Sequence, residues 1–259
     1  MTTIYMAFDE SITKNRSICM LSCAVFDNLN FKDDVEMTIR QIKSKPGYKT
    51  TSFPHYTEDS YALRTLFVDE IRRLNFKAYV TLQKGKQCPT NTQNIYDILL
   101  IEFLKPLIRK YIKRFGKDIK IILYFENTSS KKDRDQTYLQ KLLNQGLDNL
   151  PCNIEVNVLL KSEDGGITAI PDYICGCLSE FLLNPNSEKE SSNGNAIFTT
   201  LISNMGRIKT LEDGESHFYH LSKGEEREKF IEQYKGKFSR ATLLNVLLTR
   251  IRGIFHIFS

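Results

Sequence analysis

Acidic side chains stand where two apolar stretches of the sequence end. Asp9, followed by Glu10, comes after the apolar run Ile4–Phe8, and Glu126 comes after the run Ile119–Phe125. A carboxylate at the end of a buried strand is held by rigid backbone at the rim of a sheet. Carboxylate oxygens are the ligands that hard divalent cations prefer. These acids are therefore candidate metal ligands, unless Asp9 and Glu10 are only polar residues that open a turn.

Two further acids lie on predicted helices. Asp172 falls near the start of a helix over Ile170–Leu183, where unpaired amides favour a carboxylate and a capping role is the alternative. Glu70 falls in the middle of the apolar stripe of another helix. The stripe consists of Leu63, Leu66, Phe67, Ile71 and Leu74. A buried carboxylate needs a basic partner, a raised pKa or a metal, so Glu70 is either a site residue or one half of a salt bridge across the helix–sheet interface.

The elements that must position these acids alternate between strands and helices. Three strands open the chain as an antiparallel meander, with turn residues between them. The first strand begins at Ile4, and the second and third cover Ser17–Phe26 and Val35–Ile42. A helix, a fourth strand, a long helix, a strongly apolar strand, a basic helix, a strand and a last helix follow. From the fourth strand onward these are Phe76–Leu82, Ile95–Phe115, Ile119–Phe125, Lys131–Gln145, Ile154–Leu160 and Ile170–Leu183. This order predicts an α/β fold with a mixed sheet flanked by helices.

A polar, low-complexity stretch divides the sequence near residue 190. We expect a core over residues 1–184, a polar loop over residues 185–195 and a mostly helical C-terminal extension over residues 196–259. The extension ends in an amphipathic helix capped by Ser239. The apolar face of that helix needs a partner surface, which is either the core or another subunit, so a homodimer or a partner protein is possible.

The charges are unevenly distributed. The net charge is +5, and the segment between Lys105 and Lys141 contains eleven Lys or Arg against four Asp or Glu. A basic face of this kind suits a polyanion such as nucleic acid, although a solvated helix surface also produces a Lys-rich run.

The cysteines and the apolar segments indicate a cellular compartment. None of the six cysteines stands at zinc-binding spacing, and the N-terminus has no charged region followed by an apolar one. Reduced thiols in a cytoplasm are expected. No uncharged apolar stretch reaches about eighteen residues, so we expect no membrane partner.

Several segments together resemble a known family. They are IYMAFDES, FPHYTEDSYALRTLFVDEI, VTLQK, IILYFEN and LLKSEDGGITAIPDYICGCL, and they span Ile4–Leu183. In this order they are similar to the bacterial family catalogued as domain of unknown function 3800, which is grouped with ribonuclease H-like proteins. The resemblance implies a ribonuclease H-like fold, which is also the fold that the order of elements indicates.

The predicted strand order decides how closely the acids can approach one another. If the strand Phe76–Lys84 lies beside the first strand, its end supplies Lys84, and Glu126 lies one strand further away, about 10 Å from Asp9. Either Glu70 and Asp172 then complete a cluster with Asp9, or Lys84 stabilises charge.

These residues lead to a hypothesis about function. We expect a metal-dependent nuclease in which Asp9, Glu126 and Asp172, assisted by Glu70 or Glu10, hold Mg²⁺ or Mn²⁺. The alternative is a non-catalytic ribonuclease H-like module that binds nucleic acid or a protein in a phage-defence or mobile-element system.

Basic side chains complete this hypothesis. Lys84, His55 and Lys161 are expected to neutralise a phosphate or to assist proton transfer. The basic surface over Lys105–Lys141 is expected to follow a nucleic-acid backbone without reading its sequence.

Overall fold

The chain folds into seven strands and seven helices within the described residues. The computed structural model describes residues 2–12, 18–28, 30–46, 54–84, 92–126, 136–159, 166–183, 194–212 and 215–234. The strands are β1 (Thr2–Ile12), β2 (Ile18–Phe26), β3 (Lys77–Lys84), β4 (Ile119–Glu126), β5 (Asn153–Leu159), β6 (Met205–Glu212) and β7 (Glu215–Tyr219). The helices are α1 (Phe31–Lys43), α2 (Tyr61–Ile71), α3 (Thr92–Phe115), α4 (Gln136–Gly146), α5 (Ala169–Leu183), α6 (Gly194–Leu201) and α7 (Gly224–Tyr234).

All seven strands belong to one mixed sheet. Its order is β5-β4-β1-β2-β3-β6-β7. The pairs β1–β2, β2–β3 and β6–β7 are antiparallel, whereas β1–β4, β4–β5 and β3–β6 are parallel. The protein is therefore an α/β protein with a seven-stranded mixed sheet flanked by helices, as the order of elements predicted.

Each face of the sheet carries its own hydrophobic core. Along β1, Ile4, Met6 and Phe8 belong to one core, and Tyr5 and Ala7 to the other. Successive side chains of a strand point to opposite faces, so this split follows from the strand itself. Helices α3 and α4 contribute to the first core, and α1, α2, α5, α6 and α7 to the second. We call these two sides of the sheet the α3 face and the α5 face.

The prediction of a third strand over Val35–Ile42 is wrong, because this segment lies in helix α1. The buried residues of α1 are Phe31, Val35, Ile39 and Ile42, which recur every three or four positions, as on one face of a helix. Acids in the first turn and basic residues in the last turn also favour a helix. The antiparallel trio is completed by β3, and two helices stand between β2 and β3.

The strand Phe76–Lys84 does not lie beside the first strand, which was the condition considered for the approach of the acids. Strand β3 pairs with β2 and β6, and the direct parallel neighbour of β1 is β4. The separation of about 10 Å between Asp9 and Glu126 that would follow from that condition therefore does not apply.

The described part of the region after residue 195 is joined to the same sheet. It contributes β6 and β7 as well as α6 and α7, and β6 pairs with β3. Its residues Phe198, Ile208 and Phe230 are buried in the core of the α5 face. The predicted C-terminal helix capped by Ser239 lies outside the described residues, as does most of the predicted polar loop.

None of the helices within the described ranges combines the length and the apolar character needed to cross a membrane.

Candidate functional site

Asp9 and Glu126 lie on neighbouring parallel strands. The register of β1 and β4 pairs Ala7 with Tyr124 and then Phe8 with Phe125. The paired register ends there; continued by one step along both strands, it puts the backbone of Asp9 beside that of Glu126, at the spacing of about 4.8 Å between neighbouring strands. Both residues are partly exposed. The sheet thus brings together two acids that are far apart in the sequence.

The two acids also share a face of the sheet. Asp9 alternates with the buried Phe8 of the α3 face, so its side chain stands on the α5 face. Glu126 pairs with Leu159, which packs against the core of the α5 face. Glu10 pairs with Leu21 of the α3 face. The structure therefore separates Glu10 from the other predicted metal ligands, because it stands on the opposite side of the sheet.

Helix α5 begins directly over the end of β1. Ser22, the partner of Asp9 on β2, is fully buried and donates a hydrogen bond of 2.8 Å to the carbonyl of Pro171. The thiol of Cys175 lies 3.7 Å from the carbonyl oxygen of Asp9. These contacts fix the first turn of α5, which carries Asp172, above Asp9.

The pKa of the buried Cys175 thiol is affected by both Asp9 and Asp172. Burial raises the pKa of Cys175, and the charges of Asp9 and Asp172 raise it further. The thiol is therefore a neutral group packed beneath two carboxylates. A raised pKa disfavours the thiolate, which is the reactive form of a cysteine.

A second segment of the chain holds Asp172. The backbone N–H of Tyr56 donates a 2.8 Å hydrogen bond to Oδ2 of Asp172, and Nδ1 of His55 lies 3.8 Å from the same oxygen. The hydroxyl of Thr57 lies 3.0 Å from that His55 nitrogen. The carboxylate of Asp172 thus connects α5 to residues 54–60, which we call the Tyr56 segment.

The Tyr56 segment is anchored along one side of α5. The hydroxyl of Tyr56 donates a 2.9 Å hydrogen bond to Glu180, which also forms a 2.5 Å ion pair with Arg64. The Arg64 guanidinium lies 4.4 Å from the centre of the Tyr56 ring. Asp172 and Glu180 are eight residues apart, so they lie on the same side of the helix. Tyr56, Arg64 and Glu180 were not predicted as site residues from the sequence, because their partners are distant in sequence.

Gly176 lies between these two acids and is required by the close approach of Tyr56. A Cβ atom at Gly176 would lie 2.8 Å from the Cβ of Tyr56 and even closer to its ring. Ordinary carbon–carbon contacts begin near 3.5 Å. The spacing of an acid, a glycine and an acid at positions 172, 176 and 180 is the one sequence signal that could have indicated this contact.

The turn before α5 also depends on a glycine. Gly166 has φ of +90°, a conformation that residues with a Cβ rarely adopt. An added Cβ would lie 2.6 Å from the Ile39 side chain on α1. This turn therefore sets the position at which α5 begins.

The other predicted site residues lie elsewhere or outside the described residues. Glu70 forms a 3.0 Å ion pair with Arg73 in the turn that follows α2, so its basic partner is three residues along the chain rather than across the sheet interface. Lys84 ends β3, two strands from β1 and about 13 Å beyond the level of Asp9 along the strands. Lys161 is outside the described residues.

The carboxylate oxygens at the site suit a hard divalent cation. The predicted ligands do not form a complete coordination shell, however. Asp9, Glu126 and Asp172 offer carboxylate oxygens at one edge of one sheet face. Across the described ranges, no three His, Cys, Asp or Glu side chains converge closely enough to hold a metal ion. The arrangement is therefore a pair of acids on adjacent strands, with a third acid on α5, which packs over β1 and β2.

Comparison with known proteins adds no relative. Neither the models of protein families nor the curated proteins contain a match to this chain. The resemblance to the family of unknown function therefore stays a prediction that rests on the quoted segments.

Proposed function

We propose that this protein is a metal-dependent nuclease that hydrolyses phosphodiester bonds of DNA or RNA on a ribonuclease H-like fold. The observation that carries the proposal is the register of β1 and β4, which puts Asp9 next to Glu126 on the α5 face. Ligand sites of α/β sheets lie outside the carboxyl ends of strands, where these two acids stand.

The arrangement of the strands supports the ribonuclease H-like assignment. Strands β1, β2 and β3 form an antiparallel trio on one side of β1, and β4 and β5 extend the sheet in parallel on its other side. Helices cover both faces, and α5 packs across the acidic end of β1. This arrangement supports the ribonuclease H-like fold that the sequence resemblance implies, although β3 takes the place of the mispredicted strand.

Asp9, Glu126 and Asp172 would hold the cation. When bound, Mg²⁺ or Mn²⁺ supplies an activated water and stabilises the leaving oxygen of a phosphodiester. Asp9 and Glu126 are held by the sheet, and Asp172 is held by the amide of Tyr56. A rigid support of this kind maintains the geometry that catalysis needs.

His55 is a basic group beside Asp172. Its ring is about one third exposed, with 30% of the side chain accessible, and it lies 3.8 Å from Asp172. When protonated, it places a positive charge beside the acids, where a phosphate would be neutralised. When neutral, it can accept a proton from a water molecule.

The proposal is tested with purified protein, Mn²⁺ and single- and double-stranded DNA and RNA. Asp9→Asn and Glu126→Gln should each reduce cleavage at least about 100-fold, because even outer-shell partners of metal ligands contribute about 10–100-fold. Glu10→Gln is the matched control, since Glu10 adjoins Asp9 in sequence but stands on the other face, and it should retain activity. Cleavage that is undiminished in Asp9→Asn would refute the proposal.

A second candidate is a non-catalytic module that binds nucleic acid or a protein. It is favoured by the finding that three acidic or metal-binding side chains do not converge within the described part of the chain. It is also favoured by the existing engagement of Asp172 with the Tyr56 amide. Nucleic-acid binding without any cleavage, together with no heat of Mn²⁺ binding, would support this candidate over the nuclease.

A further inference from the structure

A cavity of about 490 Å³ opens between α3 and the start of β3. Its lining includes Lys77 and Tyr79 from β3, and Lys110, Tyr111 and Arg114 from α3. Small-molecule sites in proteins occupy roughly 300–1,000 Å³, so the cavity has room for a nucleotide-sized ligand.

This cavity is separate from the acidic site. Tyr79 belongs to the core of the α3 face, whereas Asp9 stands on the α5 face. Val80 is level with Asp9 across the sheet, and Lys77 starts β3 three residues earlier, at the opposite end of the strands. A ligand in the cavity would therefore lie on the other side of the sheet from Asp9.

The lining has a positive charge. The lining contains three cationic side chains, those of Lys77, Lys110 and Arg114. It contains one carboxylate, that of Asp27, which lies 3.4 Å from Arg114. The side chain of His220 adds a fourth group that becomes positive when protonated. The excess of cations favours an anionic ligand.

Neutral groups hold two of the cations in place. Nζ of Lys110 donates a 2.5 Å hydrogen bond to the Tyr79 hydroxyl, and Nζ of Lys77 donates a 3.2 Å bond to the carbonyl of Ser203. Burial and the neighbouring Tyr79 raise the pKa of Tyr111, so its hydroxyl stays protonated. These hydrogen-bond partners carry no negative charge that would compete with an anionic ligand for Lys77 and Lys110.

The basic character continues along the sheet from this cavity. Arg207 pairs with Tyr79 across β6 and β3, and the guanidinium lies 5.1 Å from the ring of Phe218. Nζ of Lys209 lies 5.7 Å from the same ring. Phe218 is 46% exposed. An exposed aromatic ring flanked by cations can stack on a base next to a bound phosphate.

We propose that this cavity is a second site, which binds the phosphate group of a nucleotide, either free or within a single strand. Lys and Arg form charge-assisted hydrogen bonds to phosphate oxygens, and the tyrosine hydroxyls can add neutral donors. The proposal does not depend on metal binding or on catalysis at Asp9.

The test compares two double variants of α3. Lys110→Gln with Arg114→Gln removes one lysine and one arginine from the cavity. Arg109→Gln with Lys113→Gln removes the same two residue types from exposed positions of the same helix outside the cavity lining. Thermal unfolding first establishes that both variants are folded.

Binding is measured without divalent cations, so that hydrolysis does not interfere. The probes are adenosine monophosphate, followed by calorimetry, and a fluorescein-labelled oligothymidylate of about 15 nucleotides, followed by anisotropy. The cavity variant should bind at least about tenfold more weakly than the wild type, and the control variant should bind nearly as well as the wild type. Binding of the mononucleotide identifies a free nucleotide as the ligand, and binding of the oligonucleotide alone identifies a strand.

Two outcomes would overturn the proposal. One is the absence of binding to either probe. The other is an equal loss of affinity in both double variants, which would assign binding to the general basic surface of α3. A cleavage experiment that fails at the Asp9 site leaves this result unaffected, so the two proposals are tested separately.

Discussion

Replacement of Gly176 by alanine should loosen the Tyr56 segment from α5. The new Cβ would lie 2.8 Å from the Cβ of Tyr56, against an ordinary contact of about 3.5–4.0 Å. Overpacking of this kind costs about 1–3 kcal/mol. The alternative is displacement of the buried Tyr56 ring, which forfeits about 1.5–3 kcal/mol of burial and the hydrogen bonds to Asp172 and Glu180.

The response with the smaller free-energy cost, either overpacking or displacement of Tyr56, should occur. Alanine also raises helix propensity by up to about 1 kcal/mol, so the net loss of unfolding free energy should be about 1–2 kcal/mol. This corresponds to a decrease in Tm of about 2–8 °C for a chain of this size. Urea unfolding of Gly176→Ala in the wild type and in a Tyr56→Ala background measures it. In that background the same substitution should be neutral or stabilising.

Equal effects of Gly176→Ala in both backgrounds would refute the reasoning, because the clash requires the Tyr56 ring. A stabilising effect in the wild type would refute it as well.

Two further predictions concern charge and pH. Arg64→Met should lower the unfolding free energy by about 2 kcal/mol, measured by urea unfolding, because it leaves the half-buried Glu180 without its partner, and Arg64→Lys should restore part of the loss. Burial raises the pKa of Tyr111 in the folded state above about 10, the ordinary pKa of tyrosine. Above that pH the unfolded state loses this proton while the folded state keeps it. The contribution of Tyr111 to the unfolding free energy should therefore be complete below a pH of about 10 and fall above it. Each such tyrosine adds up to about 1.4 kcal/mol per pH unit, and Tyr111→Phe should make the decline shallower in denaturation curves from about pH 8 to 11. A decline of unchanged steepness in Tyr111→Phe, or full stability of Arg64→Met, would contradict these expectations.

The sequence carried enough information for the strands that end in acids. The apolar runs before Asp9 and Glu126 predicted β1 and β4, because a buried strand needs apolar side chains on both faces. The pattern over Phe76–Leu82 likewise predicted β3. The seven-strand total and the membership of β6 and β7 were not predicted, because polar and charged side chains interrupt both strands and leave no continuous apolar run.

The pairing of the strands could not be predicted from the sequence. Nothing in the residues of β3 and β4 says which of them lies beside β1, since both are apolar and similar in length. This choice decides whether Asp9 has Lys84 or Glu126 as its neighbour. The same limit explains why Tyr56 was missed, because its contact with α5 joins residues more than one hundred positions apart.

The helix α1 shows a different kind of error. Val35, Ile39 and Ile42 have the β-branched side chains that favour strands, so local preference agrees with the strand that was predicted here. The spacing from Phe31 to Ile42 has the period of a helix, and burial of that side against the sheet prevails over local preference.

The claim on which the account depends is that Asp9 and Glu126 meet on one side of the sheet and hold a divalent cation. Calorimetric titration with Mn²⁺ tests it most directly, in the wild type and in Asp9→Asn, Glu126→Gln and Glu10→Gln. The account predicts binding by the wild type and by Glu10→Gln, and binding at least about tenfold weaker in the other two variants. No binding by the wild type, or a loss in Glu10→Gln as large as that in Asp9→Asn, would contradict it.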